Sequence, residues 1–259
     1  MSFTSSVYFH LIQKITEEIE SLGLKSYESA IQKHAEKPKP VRKPIDLAPL
    51  IEHTLLKPEI THRDINKLCD EARQFHFRGV CVNPVFVKEA LQQLAGTGCS
   101  VVTVVGFPLG ANLRDTKSEE AKHVIELGAG EIDMVIALGA LKEGNYKTVY
   151  NDIRAVVESA ESIPVKVIIE AGLLNEREKI AACLLAEWAG ASFVKTSTGF
   201  AGCGATIEDV KLMKAVVGSR IGIKAAGGIR DFQTACAMVE SGATRLGCSA
   251  SVAIVTEHI

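Results

Sequence analysis

Aromatic side chains are scarce: they make up 5% of the 259 residues, with one tryptophan. A chain so poor in flat rings has no stock of platforms for stacking bases, which argues against single-stranded nucleic acid as a partner. An excess of one charge is lacking too. The formal net charge is −2, which supplies neither a polybasic surface for nucleic acid or anionic lipid nor an acidic tail. No apolar run reaches the ~20 residues that span a bilayer, and no basic stretch followed by an apolar core opens the chain. The seven cysteines (69, 81, 99, 183, 203, 236 and 248) are odd in number and form no Cys-x-x-Cys pair. That is the pattern of reduced thiols in a cytoplasmic protein, not of a disulfide framework. His-x-His and His-Glu-x-x-His are absent, so His53 has no metal-like spacing and no metal site is expected.

What is present divides into two parts. Val7, Leu11, Ile12, Ile15, Ile19 and Leu22 trace one face of an amphipathic helix. A second short helix is expected over Tyr27 to Ala35. The basic, proline-rich run from Lys37 to Pro44 then intervenes; proline bars it from being helical, and a solvated connector is the expected role. Residues 1–44 are therefore read as an N-terminal helical extension and linker, and 45–259 as the main domain.

From Ile45 onward short β-branched runs alternate with helical patterns. The strand candidates are 51–56, 79–82, 101–106, 131–136, 165–170, 193–196, 221–225 and 244–247. Thr61 with Asp64, Asn175 with Glu178, and Thr206 with Asp209 have the spacing of helix N-caps with an acid three residues on. Asn83-Pro84 places proline at a first helical position. Gly128, Gly190 and Gly242 each close a helical pattern just before a strand, where glycine suits a left-handed C-cap. Eight strand–helix units in about 215 residues predict an α/β fold, a closed (β/α)₈ TIM barrel. An open doubly wound sheet is the alternative, but no Gly-x-Gly-x-x-Gly follows the first strand.

The chemistry concentrates in two lysines placed where lysine is rarely found, inside apolar strand runs: Lys195 in Phe193-Val194-Lys195 and Lys224 in Ile221-Gly222-Ile223-Lys224. A buried amine beside a second cation is a candidate nucleophile for a carbonyl, able to form a Schiff base. Asp133, inside Glu131-Ile-Asp-Met-Val-Ile136, needs a charged or hydrogen-bonded partner; it is either an ion-pair partner or a proton-transfer group. Lys166 and Glu170 share one parity in the fifth strand candidate and are assigned a supporting role. Cys81 is either a pocket thiol or a small buried hydrophobe. In this fold phosphate commonly binds at the loops after the seventh and eighth strands. Gly227, Gly228 and Arg230 follow the seventh; Gly247 and Ser249 follow the eighth. Gly199, after the Lys195 strand, is a further candidate. Together they predict a phosphate cradle, the alternative being that the glycines only shape turns.

The motifs resemble those of the deoxyribose-phosphate aldolases, metal-independent Schiff-base enzymes built on a (β/α)₈ barrel. The resemblance runs from about Ile51 to Val255. It covers Glu52-His-Thr-Leu-Leu-Lys-Pro58, Gly79-Val-Cys-Val-Asn-Pro84, Val101 to Asn112, Glu131 to Ile136 and the two lysine strands. It implies Lys195 as the Schiff-base residue, Lys224 as its neighbouring cation and proton-transfer partner, and Asp133 as acid/base. The implied reaction is reversible cleavage of 2-deoxy-D-ribose 5-phosphate to acetaldehyde and D-glyceraldehyde 3-phosphate, with no cofactor. The implied partner is a small phosphorylated sugar, with homo-oligomers a possibility. Two positions depart from the family pattern. The chain ends Thr256-Glu-His-Ile259 without the C-terminal tyrosine of some members, and Ser249 is followed by Ala250 where the family usually has a second serine. Another Schiff-base aldolase, a transaldolase, or a non-catalytic sugar-phosphate sensor are the competing classes.

Overall fold

The structure is a computed structural model, and it describes residues 3–24, 26 and 40–257. Eight parallel strands close into a barrel in sequence order. They are β1 (Ile51–Leu55), β2 (Gly79–Val82), β3 (Ser100–Val105), β4 (Glu131–Val135), β5 (Val165–Ile168), β6 (Phe193–Lys195), β7 (Gly222–Ala226) and β8 (Arg245–Cys248). The helices between them form the outer layer: α2 (His62–Phe75), α3 (Val87–Leu94), α4 (Arg114–Glu126), α5 (Leu138–Lys142), α6 (Tyr146–Ala160), α7 (Glu176–Trp188), α8 (Ile207–Val217), α9 (Phe232–Glu240) and α10 (Ser251–Thr256). The closed (β/α)₈ barrel is the predicted one, and the open sheet is excluded.

The caps act where the spacing places them. Asp64 accepts from the Thr61 amide at 2.8 Å, and Asn175 and Glu178 cap α7 reciprocally. Thr206 caps α8 through the Asp209 amide, but the Asp209 carboxylate turns to Lys179 instead of completing a box. Pro84 opens a short 3₁₀ turn, with the α-helix starting at Val87. Gly128, Gly190 and Gly242 hold φ of +101°, +100° and +121°, outside the range a side chain tolerates.

The N-terminal helix α1 (Phe3–Ser21) packs on α7 and α8. Ile15 and Ile19 are fully buried there. Leu22, assigned to the same stripe, is 46% exposed; the helix has ended and Leu24 is buried in its place. The helix expected over Tyr27 to Ala35 lies outside the described residues, as does part of the basic linker. Two further expectations need correction. The fifth strand stops at Ile168, so parity does not govern Glu170, which sits in the left-handed region at φ +51°. Gly247 lies inside β8 and not in the loop after it.

Candidate active site

Alternation in a barrel strand turns every second side chain inward. Here the inward set splits by chemistry. Leu56, just past the end of β1, forms a small apolar cluster with Cys81 of β2 and Val102 and Val104 of β3, backed by Phe107. Facing it, β1 and β4–β8 carry ionised groups. Four cations, Lys166, Lys195, Lys224 and Arg245, meet three carboxylates, Glu52, Glu131 and Asp133, and all seven are buried.

The pairing is specific. Lys195 Nζ donates to Asp133 Oδ2 at 2.7 Å, and Lys224 Nζ donates to the same oxygen at 2.6 Å and also to Glu52. Lys166 reaches the other Asp133 oxygen at 3.1 Å, Glu131 at 2.6 Å and Glu52 at 3.3 Å. Arg245 bridges Glu52 at 2.7 Å and Glu131 at 3.2 Å, its guanidinium 5.2 Å from the centre of the Phe193 ring. Lys195 thus holds one carboxylate oxygen, shared with Lys224, while each of the other cations reaches at least two carboxylates. It is also the last residue of its strand, at the C-terminal end of the barrel where this fold carries its chemistry.

Burial penalises ionisation of Asp133, Glu131, Lys166, Lys224 and Arg245, and opposite charges outweigh it. The ammonium groups of Lys166, Lys195 and Lys224 hold the Asp133 carboxyl well below the usual carboxylate range. Glu131 is brought down to about 2 by Lys166 and Arg245 against the same desolvation. Burial opposes the Lys224 ammonium, yet Asp133 and Glu52 hold its pKa above the ordinary lysine value, so Lys224 is a fixed cation. Desolvation pushes the Cys81 thiol up to about 11, which makes it a neutral part of the apolar wall.

Glu52, Cys81 and Asp133 present donor atoms within 4.8 Å of one another, the spacing of a metal site. Lys224 Nζ binds both carboxylates of that trio. A metal ion there would have to displace a buried ammonium and meet its repulsion.

Above Lys195 the chain is stitched to the next loop. Thr196 and Ser197 hydroxyls donate to the Ala226 carbonyl at 3.0 and 2.6 Å, and the Glu170 carboxylate accepts from the Thr198 amide and hydroxyl. Phe200 meets Phe107 edge-on, ring centres 5.3 Å apart. A side chain on Gly204 would lie 2.4 Å from the Gly227 carbonyl, and one on Gly227 would lie 3.6 Å from Gly199 Cα. Gly199, Gly204, Gly227 and Gly228 therefore form one close-packed backbone surface. Gly228 and Ser249 are exposed, and their amides donate no hydrogen bond among the described residues. Arg230 is exposed and makes no ion pair among the described residues. Gly247 stands apart, its Cα facing Lys224 inside the barrel.

The structure therefore brings Lys195, Lys224 and Asp133 into one hydrogen-bonded group and gathers Gly199, Gly227 and Gly228 at the mouth above it. Glu52, Glu131, Arg245 and Gly204 were not singled out from the sequence. Glu52, Glu131 and Arg245 carry the signal that revealed Asp133, a charge in or against an apolar strand run.

Residues 43–254 match the family described as DeoC/LacD family aldolase. The deoxyribose-phosphate aldolase of Staphylococcus epidermidis (strain ATCC 12228 / FDA PCI 1200) is 57% identical over 208 residues, 80% of this chain and 94% of that protein. The deoxyribose-phosphate aldolase of Thermotoga maritima is 55% identical over 233 residues, covering 88% and 94%. Among solved structures, a protein from Coccidioides immitis superposes with a TM-score of 0.84 at 40% identity, over 98% of this chain and 97% of that one. The deoxyribose phosphate aldolase of Aeropyrum pernix, described as a tetramer, gives 0.76 at 33% identity over 82% and 91%.

Proposed function

The chain belongs to the DeoC/LacD family of aldolases, and from that premise we propose that it cleaves 2-deoxy-D-ribose 5-phosphate reversibly through a Schiff base on Lys195. One observation carries this reading: Lys195 Nζ lies at the end of β6, 2.7 Å from an Asp133 oxygen that the fixed cation Lys224 also holds. Four cations against three carboxylates leave one positive charge in excess among these buried groups. Lys195 is held by a single carboxylate oxygen among the described residues, so it has the fewest partners to lose on turning to a carbonyl. As a free base it attacks the C1 carbonyl of the open-chain sugar. Asp133 passes protons, through water, to the carbonyl oxygen and on to the hydroxyl that leaves, giving the iminium. The C3–C4 bond then breaks. Its electrons move into the iminium to give an enamine, and the C4 hydroxyl loses its proton as glyceraldehyde 3-phosphate departs. Protonation of the enamine carbon and hydrolysis release acetaldehyde and restore the amine.

The apolar cluster of Leu56, Cys81, Val102, Val104 and Phe107 supports a donor end without hydroxyls. A dihydroxyacetone-type donor would bury unpaired hydroxyls against it, each costing a few kcal/mol. For the remote phosphate we propose Gly199, Gly227, Gly228, Arg230 and Ser249, because loops after the last strands serve this role in the fold and exposed amides favour an anion. The space filled by Lys224 removes Gly247 from that set. The tetrameric relative from Aeropyrum pernix supports self-association of this chain. Seven free thiols support a reducing compartment, and no helix among the described residues is long and apolar enough to cross a membrane.

Acetaldehyde followed by borohydride is expected to leave a stable ethyl group on Lys195, located by peptide mass spectrometry, while retro-aldol turnover persists with a chelator present. Labelling confined to surface lysines, or falling mainly on Lys224, would overturn the assignment.

A further inference from the structure

His53 stands back to back with the active site and takes no part in the chemistry above. Its neighbour Glu52 points into the barrel; His53 points out, into the space between β1, α2 and α10, and is 4% exposed. Both ring nitrogens are engaged. Nε2 lies 2.8 Å from Glu71 Oε2 on α2, and Nδ1 lies 2.9 Å from Ser251 Oγ, the first residue of α10. Ser251 Oγ is also 2.9 Å from the Cys248 carbonyl at the end of β8. Lys67 pairs with Glu71 at 3.8 Å, and the Phe77 ring packs 5.3 Å from the imidazole.

A serine, a histidine and a glutamate in hydrogen-bonded series have the composition of a hydrolytic triad. The burial rules that use out. Ser251 has no exposed surface, so no substrate carbonyl reaches its oxygen. The proton count gives a different use. Glu71 accepts only, so Nε2 carries a hydrogen; burial works against the imidazolium and holds the His53 pKa below its ordinary value, although Glu71 opposes this. Ser251 donates its proton to the Cys248 carbonyl, which also lies within reach of the imidazole, so serine, ring and the end of β8 form one closed group. The start of α10 is tied in this way through one histidine to α2, across the foot of the turn that holds Ser249 and Ala250.

We propose that His53 is a positioning residue that, with Ser251 and Glu71, sets the seat of the β8–α10 turn and thereby the recognition of the substrate's phosphate. The inference rests on the reading that this turn contributes to the phosphate cradle. The lysine chemistry lies on the opposite side of β1, so loss of the tie bears on remote binding and spares the step at the carbonyl.

The test compares deoxyribose 5-phosphate with unphosphorylated deoxyribose. Ser251→Ala is expected to raise KM for the phosphorylated sugar roughly five- to tenfold, the effect of about one lost hydrogen bond, with kcat for it held within about twofold. The ratio of kcat/KM between the two sugars falls by the same factor. Ser251→Thr, which keeps the hydroxyl, restores most of the preference, and His53→Gln lowers it as Ser251→Ala does. An unchanged ratio in both Ser251→Ala and His53→Gln would overturn the inference. So would an equal loss on both sugars, which marks general damage. Gly228→Val separates the two readings: if it abolishes the preference while Ser251→Ala does not, the phosphate site stands and the tie fails. If the unaltered protein shows no preference for the phosphorylated sugar, both fall.

Discussion

Gly247 shows how much one absent carbon matters. A Cβ there would lie 2.9 Å from Lys224 Cε and 3.0 Å from Ala226 Cβ. A lysine tip on the surface would swing aside at little cost. Lys224 cannot, because its ammonium is held between Asp133 and Glu52. Gly247→Ala is therefore expected to displace the fixed cation, lowering kcat at least tenfold while costing the ~1–3 kcal/mol of an overpacked core. Steady-state kinetics with a denaturation curve on the same protein checks both, and a fully active variant would show that Lys224 has room to spare. Glu170 is another residue whose place is set by its surroundings. It accepts φ +51°, a conformation costing of order 1–3 kcal/mol for a non-glycine residue, and in return anchors the turn after Lys195 through Thr198.

At the scale of elements, two devices support the barrel from outside. The ammonium of Lys117 on α4 is buried against the wall, donating to the Val135 carbonyl at 2.9 Å and to Asp152 of α6 at 2.8 Å. It holds two helices to the end of β4, the strand that carries Asp133. The second device is α1, which covers α7 and α8 with Ile15 and Ile19 and pairs Glu18 with Arg177. The exposed ion pair contributes little, whereas each fully buried isoleucine contributes about 1.5–3 kcal/mol. Ile19→Ala is expected to lower stability by about 2–5 kcal/mol. The kcat stays within twofold, because α1 packs on α7 and α8, on the outside of the barrel. Thermal melts and turnover measured together check this; a loss of turnover without loss of stability would give α1 a role in the reaction.

At the scale of the whole molecule, the closed barrel stores charge where most proteins store hydrocarbon. Glu131 and Asp133 both ionise more readily in the folded chain than in the unfolded one. Their contribution is therefore complete above the ordinary carboxylate range and is lost as pH falls, because the unfolded chain takes up protons first. For Glu131 the window runs from the ordinary glutamate value, 4.5, down to about 2, and the contribution at neutral pH is roughly 3 kcal/mol. Glu131→Gln should unfold at lower urea than the unaltered protein at pH 7, and the gap should close as pH approaches 2. A gap that persists at low pH would assign the loss to packing.

The sequence alone determined the strands to within a residue or two at each end, most helix caps, and the presence of two lysines and an aspartate inside apolar strands. The reason is local. A β-branched run flanked by glycine has few alternatives, and a lysine or aspartate inside such a run is conspicuous because burying it is costly without a partner. Parity even indicates which side chains turn inward. What only the tertiary structure decided is who meets whom. Glu52 lies 172 residues from Lys224 and 193 from Arg245, and they touch because the barrel closes β1 against β8. The count of strand–helix units predicts that closure, but not which side chains it brings into contact. Closure and register also place Gly247 beside Lys224 and His53 against Ser251. Periodicity tells which way a side chain points; the height at which it meets its partner is set by how eight strands are staggered around a common axis.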